Sequence, residues 1–248
     1  MNSVMRRSRN QFVSILASEA PQLLPYLEDV MLMPNQRLHR AGERIDYVYL
    51  PHKSVISLVA SGTPSVEFAM VGCEGILGGA AGFGVVDAIC DSVVRIGGNA
   101  SRLTPDRLQS ALSESERLRT AVASCEATLA MKAQHAAACN TLHPVEARLC
   151  HLLLEMSDRL ESDELPITQA SLADSLGVQR TTVTLVVGKL QASGAISCGR
   201  GRIRVIDPAV LVQNTCACHD HSRRLASKLA PFPTELAATP IPANAAMI

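Results

Sequence analysis

Apolar and polar positions follow three different rhythms along this chain, and each rhythm predicts a different kind of element. Between Thr168 and Leu190 apolar residues return every three or four positions: Leu172, Ala173 and Leu176, then Val183, Val186, Val187 and Leu190. That spacing predicts two short helices, each with one face to bury. Gly177 marks the turn between them. Thr168 and Gln179 stand where the helices would start, and Thr168 is the stronger N-cap. Two helices joined in this way form either an ordinary helical hairpin or a helix-turn-helix, whose second helix fits the DNA major groove.

From Val30 to about Arg102 the rhythm is that of strands. β-Branched runs at 30–33, 47–50, 54–59, 66–71 and 92–96 are separated by Ala41-Gly42-Glu43, Ser61-Gly62-Thr63-Pro64 and Gly97-Gly98-Asn99, which predicts a β-sandwich or β-roll. Short helices are expected ahead of it, over 11–28. Thr104-Pro105 opens another helix, and after Ser113-Glu114-Ser115 a long helix runs to about Thr141. Leu118, Val122, Cys125, Leu129, Ala136 and Cys139 form a seam on it, interrupted by Lys132. The seam fits a coiled-coil dimer or packing against the chain's own β-domain, and its narrowness and polar neighbours favour the dimer.

Leu142-His143-Pro144 reads as a hinge. In the next helix Val145, Leu149, Leu152, Leu153 and Met156 make the apolar stripe, with Glu146, Arg148, Glu155, Asp158 and Arg159 on the wet face. The acidic stretch Glu161-Ser162-Asp163-Glu164 reads as a solvated loop, and Leu165-Pro166-Ile167 as a short strand. Beyond Gly194, residues 195–206 read as a hairpin tipped by Arg200 and Arg202. A hairpin in that position is the wing of a winged helix-turn-helix. After about Asn214 periodicity fades and Ala and Pro dominate, as in a flexible tail.

Composition narrows the function. A chain of 248 residues, 47% hydrophobic, can bury a core and form two domains. No apolar run reaches the ~18 residues of a membrane span, and no apolar region follows the basic residues near Met1, so a cytoplasmic location without membrane contact is expected. The formal charge is zero, so any nucleic-acid contact needs a local patch. Between Thr168 and Asp207 one exists: Arg180, Lys189, Arg200, Arg202 and Arg204 outnumber Asp174 and Asp207. The candidate DNA contacts are Thr168, Gln169, Gln179, Arg180, Thr181, Thr182, Thr184, Lys189, Arg200 and Arg202. Arg180 is the best placed for a bidentate contact to guanine. With no Trp and 3% aromatics, stacking on single-stranded bases is not expected.

Two other clusters have chemistry to offer. The glycine-rich segment 71–84 could cradle an effector through Gly75, Gly78, Gly79 and Phe83. Against a phosphate, no Lys or Arg occurs between Lys53 and Arg95, which favours a tight connection beside a short helix. Near the end, Cys216, Cys218, His219 and His221 offer soft or borderline ligands, but structural zinc sites draw on two separated pairs and no second pair is visible. No metal or cofactor is therefore expected. The other cysteines sit singly in apolar segments. His135, His143 and His151 belong to no nucleophile–base set, so the chain reads as a non-enzyme.

The order of parts, with Leu142-His143-Pro144-Val145-Glu146-Ala147-Arg148-Leu149, Leu172-Ala173-Asp174-Ser175-Leu176-Gly177-Val178, Arg180-Thr181-Thr182-Val183 and Gly201-Arg202-Ile203-Arg204-Val205-Ile206-Asp207, resembles the Crp/Fnr family of bacterial transcription regulators. The resemblance implies an α+β fold. A cyclic-nucleotide-binding-like β-roll would occupy 1–112, a dimerisation helix and hinge 113–142, a winged helix-turn-helix 143–213 and a flexible tail 214–248. It implies a homodimer joined through Leu118, Val122, Cys125, Leu129 and Ala136 on a two-fold operator in double-stranded DNA. RNA polymerase and an unknown effector are its other candidate partners. The chain also departs from the family. Gly78-Gly79 stands where cyclic-AMP-binding members have Gly-Glu, and the Arg-Ser pair is missing, so cyclic AMP is not the expected signal. The first cysteine is Cys73, too late for the N-terminal iron–sulfur ligands of other members. Thr181 and Leu185 replace the Glu and Arg common in the reading helix, leaving the operator open. The competing expectation is a small-molecule or metal sensor that acts through protein contacts with little DNA reading.

Overall fold

The structure, a computed structural model, describes residues 10–60 and 66–229. The basic residues near Met1, the Ser61–Pro64 break and the last part of the predicted tail lie outside the described residues.

Helix α1 (Gln11–Glu19), capped by the Asn10 side chain, precedes the strands and buries Phe12, Val13, Ile15 and Leu16. The roll consists of β1 (Glu28–Leu32), β2 (Arg37–His39), β3 (Val48–Pro51), β4 (Val55–Ala60), β5 (Val66–Val71), β6 (Asp91–Ile96) and β7 (Gly98–Leu103), all antiparallel to their neighbours. They form two sheets, ordered β2-β6-β4-β5 and β1-β7-β3. Every residue of β3 and the first five of β4 are buried, as expected of strands packed on both sides. Strand β7 was not expected, because Gly97-Gly98-Asn99 reads as a break. Gly98 nevertheless opens this central strand: a Cβ there would strike the Lys53 carbonyl, so only glycine lets the two backbones approach.

Helix α2 (Pro105–Glu114) leads to the long helix α3 (Glu116–Leu142), whose cap, Ser115, accepts a hydrogen bond from the Leu118 amide. The expected dimer seam is corrected here. Leu118, Val122 and Cys125 are buried in the chain's own core with Phe12, Ile76 and Leu108, and Leu129 packs against the roll. Apart from Leu142, exposed at its end, the large apolar residues of α3 are buried or half-buried within one chain. Its exposed face instead carries Thr120, Ala123, Ala127, Ala130, Gln134, Ala137 and Thr141, small residues apart from Gln134, at alternating steps of three and four. Ala136 lies between the two faces and is half-buried.

Past His143, α4 (Val145–Leu160) is followed by β8 (Glu164–Leu165), α5 (Gln169–Leu176), α6 (Arg180–Ala192), β9 (Ile196–Gly199) and β10 (Arg202–Val205). The strands form a sheet ordered β8-β10-β9. Helix α7 (Pro208–Asn214) closes the winged domain, and α8 (Cys218–Leu229) occupies part of the expected flexible tail and packs on α3.

The two halves share one core: Val55, Met70 and Ile96 of the roll pack with Leu149, Leu153, Leu172 and Val183. At the seam Arg159 is buried, contrary to its expected wet position. Its guanidinium lies 3.0 Å from Glu74 and 3.5 Å from Glu155, and it donates to the Glu155 and Met70 carbonyls. Lys132 reaches Glu155 at 3.4 Å. Burial works against charge on Glu155, yet Lys132 and Arg159 hold its carboxyl well below the usual range.

Candidate nucleic-acid interface

The local sequence builds the helix-turn-helix directly. The Thr168 hydroxyl accepts a hydrogen bond from the Ser171 amide at 3.1 Å and starts α5. Gly177, at a φ of 64°, ends it in the left-handed conformation that glycine adopts without strain. Gln179 precedes α6 in extended backbone but forms no side-chain cap. The apolar residues pack as their spacing predicts: Leu172, Ala173 and Leu176 of α5 and Val183, Val186, Val187 and Leu190 of α6 are all buried.

That packing turns the other face of α6 outward, with Gln179, Arg180, Thr181, Thr184, Leu185, Gly188 and Lys189 exposed. Among the described residues Arg180 has no carboxylate partner. The Thr184 hydroxyl lies 2.8 Å from the Gln169 Oε1 and 3.0 Å from the Arg180 carbonyl, so it bridges the two helices. Lys189 sits 3.2 Å from Glu146, and Thr182 is half-buried at the edge of the face. Sequence reasoning left Leu185 out of the candidate contacts, yet it is 72% exposed in the middle of this face. The helical period anchored by Val183 and Val187, and its place where the resembling family commonly carries a reading-helix arginine, both point to this position.

The wing differs from the expected bare basic hairpin. Glu164 is a strand residue opposite Arg204, and its carboxylate lies 2.9 Å from both Arg202 and Arg204. Those two guanidinium groups lower its pKa. Arg200, at the tip, is exposed and among the described residues has no ion-pair partner. The free charge of the surface therefore sits on Arg180 and Arg200.

The glycine-rich segment forms a short 3-10 helix at Gly79–Phe83, matching the tight connection that the missing cations favoured. Of the candidate effector residues, Gly75 and Gly79 are packed against α3. A Cβ on Gly79 would lie 2.8 Å from the Glu126 Oε1 and 2.9 Å from the Val122 Cγ1. The Ala80 amide already donates to Glu126 at 3.1 Å. Gly78 adopts a left-handed φ beside His39, and Phe83 is exposed in an open groove with Thr120 and Ala123. These four residues do not converge on one cavity. The four tail candidates also separate: the His219 ring packs edge-on against His151, the His221 ring lies beside His135, and Cys216 and Cys218 turn toward the end of α3.

This geometry defines a class, an antiparallel β-roll joined by a long helix to a winged helix-turn-helix. Residues 147–213 match the family described as the Crp-like helix-turn-helix domain. Solved structures similar to most of the chain include FixK2 from Bradyrhizobium japonicum, at 15% identity and a TM-score of 0.64 over 77% of this chain and 98% of that one. The c-di-GMP responsive global regulator CLP from Xanthomonas campestris is similar at 17% identity and a TM-score of 0.61, over 76% and 98% of the two chains. A transcriptional regulator of the CRP/FNR family from Thermus thermophilus aligns at 21% identity and a TM-score of 0.54, over 75% and 97%. No curated protein sequence matches the chain. The chain thus has the α+β fold of the Crp/Fnr transcription regulators.

Proposed function

We propose that this protein is a sequence-specific DNA-binding transcriptional regulator that acts as a homodimer on a two-fold operator. The observation that carries the reading is the exposed face of α6, where Arg180 stands without a carboxylate partner among the described residues, together with the likewise unpaired wing arginine Arg200. Arg180 reads a base edge, while Arg200 and, in part, Lys189 and Arg202 meet phosphates. Thr168, Gln169, Gln179, Thr181, Thr182 and Thr184 surround that contact. A sensor acting through protein contacts alone would have no use for such a face.

The dimer forms through the exposed stripe from Thr120 to Thr141, since Leu118, Val122 and Cys125 of the expected seam are already buried in the chain's own core. Alanines at alternating steps of three and four let two such helices approach closely. The roll does not take a cyclic nucleotide, because the Glu126 carboxylate already accepts the Ala80 amide and no cation lies between Lys53 and Arg95. RNA polymerase and an unidentified effector are the remaining partners. No described helix is long and apolar enough to cross a membrane, and the eight cysteines are free, which fits the reducing cytoplasm. The fold and its regulator relatives fit a non-enzymatic role.

Selection of bound duplexes from a random library, with sedimentation of the protein alone and on the selected DNA, tests this reading. A two-fold consensus bound by two chains is the expected result. Equal retention of all duplexes, or a monomer on DNA, overturns it.

A further inference from the structure

Cys216 and Cys218 acquire in the folded chain the second ligand pair that the sequence does not display beside them. Cys139, on the last turn of α3, and His143, four residues later at its end, face them. The Cys139 and Cys216 sulfurs are 3.5 Å apart, and the Cys218 sulfur lies 3.7 Å from the His143 Nδ1. All four ligand atoms fall within 4.8 Å of one another. In a tetrahedral zinc site, bonds of about 2.3 Å separate two sulfurs by about 3.8 Å, so the two closest pairs already span tetrahedron edges. Cys139 is buried and the other three are half-buried, so the cluster sits in a pocket between elements rather than on an open surface.

We infer that Cys139, His143, Cys216 and Cys218 form a Cys3His site that holds one zinc ion. The ligand types suit it: three thiolates and an imidazole make a closed structural zinc shell with no position left for water. Three thiolates and a neutral imidazole would leave the zinc centre with one net negative charge. Arg148, which acts electrostatically on Cys139 and lines a cavity of about 90 Å³ with Cys139 and Cys218, offsets that charge. The site also has a mechanical role. Its ligands come from the end of α3, from the Leu142-His143-Pro144 hinge itself and from the segment that follows the winged helix-turn-helix. A bound ion therefore clamps α8 and the connector to the long helix, fixing how the reading module leaves it. This inference stands on the ligand cluster alone and does not depend on what α6 binds.

The test uses the full chain, purified under reducing conditions and supplied with zinc. Elemental analysis is expected to find one zinc per chain, and cobalt substitution to give tetrahedral d–d bands with thiolate-to-cobalt charge transfer. Both signals should be lost in a Cys216→Ser/Cys218→Ser variant and kept in His221→Ala, whose imidazole lies nearby outside the shell. A measurement on the unaltered chain guards against misfolded variants. Zinc should slow alkylation of Cys139, Cys216 and Cys218 while leaving the half-buried Cys198 unchanged. A metal-free chain without cobalt bands, zinc retained by the double serine variant, equal alkylation with and without zinc, or a Cys139–Cys216 disulfide in the zinc-supplied reduced protein would each overturn the site.

Discussion

The backbone amide of Ala80 donates a hydrogen bond to the carboxylate of Glu126, 3.1 Å away and 46 residues further along the chain. The short glycine-rich turn of the roll is thus capped from within by the long helix. Burial raises the Glu126 pKa, and the hydrogen bonds from Ala80 and Gly79 only partly oppose the rise. A carboxyl whose folded pKa is raised gives its full stabilisation below the unfolded value, near 4.5, and loses it as pH rises through the folded value. Glu126→Gln, which keeps an acceptor but does not titrate, should therefore be more stable than the parent at neutral pH. That advantage should vanish below about pH 4.5 in denaturant titrations. Neither protein should gain thermal stability from cyclic AMP, and a clear gain in the parent would refute the capped-turn account.

Glu155 carries the opposite sign. Its folded pKa is held well below 4.5, so its contribution is present above that value and lost as pH falls through the folded one. Removing one partner of a buried ion pair leaves the other uncompensated, so Glu155→Gln should cost on the order of 3 kcal/mol at neutral pH. The penalty should shrink in acid, as chemical unfolding at several pH values would show.

The two faces of α3 should respond differently to a charge. Ala127→Glu and Ala130→Glu place carboxylates on the exposed stripe and should give a folded monomer by sedimentation with unchanged circular dichroism. Val122→Glu puts a carboxylate into the closed core and should unfold the chain or lower its stability by several kcal/mol. An Ala127→Glu protein that stays dimeric would assign the interface elsewhere.

On DNA, Arg180→Ala should cost about 1–3 kcal/mol on the selected sequence and far less on random duplex. Arg200→Ala should weaken both and lower the salt slope by about one unit. Glu164→Gln should act in the other direction: it frees Arg202 and Arg204, so affinity for any duplex and the salt slope should both rise. Fluorescence anisotropy across a salt series reads all three, and a flat response to Glu164→Gln would count against phosphate contact by the wing.

Leu185 and Gly188 separate recognition from stability. Leu185→Ala should leave stability within about 0.5 kcal/mol, as surface positions do, but weaken any preference for thymine beneath it, since an apolar side chain at a base edge favours the thymine methyl. A Cβ at Gly188 would meet nothing within 4 Å, so Gly188→Ala should stabilise α6 by about 1 kcal/mol. Weaker DNA binding by this stabilised variant would show that the helix backbone itself approaches the groove.

The helix-turn-helix was legible because both its helices follow a strict period and Gly177 punctuates them. The wing was legible as a hairpin, whereas the pairing of its arginines with Glu164 was not, because β8 brings that residue across from a distance in sequence. Strand β7 was hidden by Gly98 and Asn99, whose turn preference is overridden by the close approach to Lys53. On α3 the eye follows large apolar residues, and those serve the fold of one chain. The face left over is made of alanine and threonine, which give little hydrophobic signal. Arg159 was read as wet because its partners Glu74 and Met70 lie on the roll. Cys216 and Cys218 were visible, but Cys139 and His143 come from the other end of the reading domain, and only tertiary structure joins them.

Gly177 does more than end a helix. A Cβ at this position would lie 2.9 Å from the Val66 Cγ2 on β5, so the turn of the reading module rests on the edge strand of the roll. Together with Val55, Met70 and Ile96 packed among the leucines of α4 and α5, this contact makes the roll part of the winged domain's own interior. A fragment cut at the hinge would bare that apolar surface to water, and the two halves should melt as one cooperative body rather than in succession.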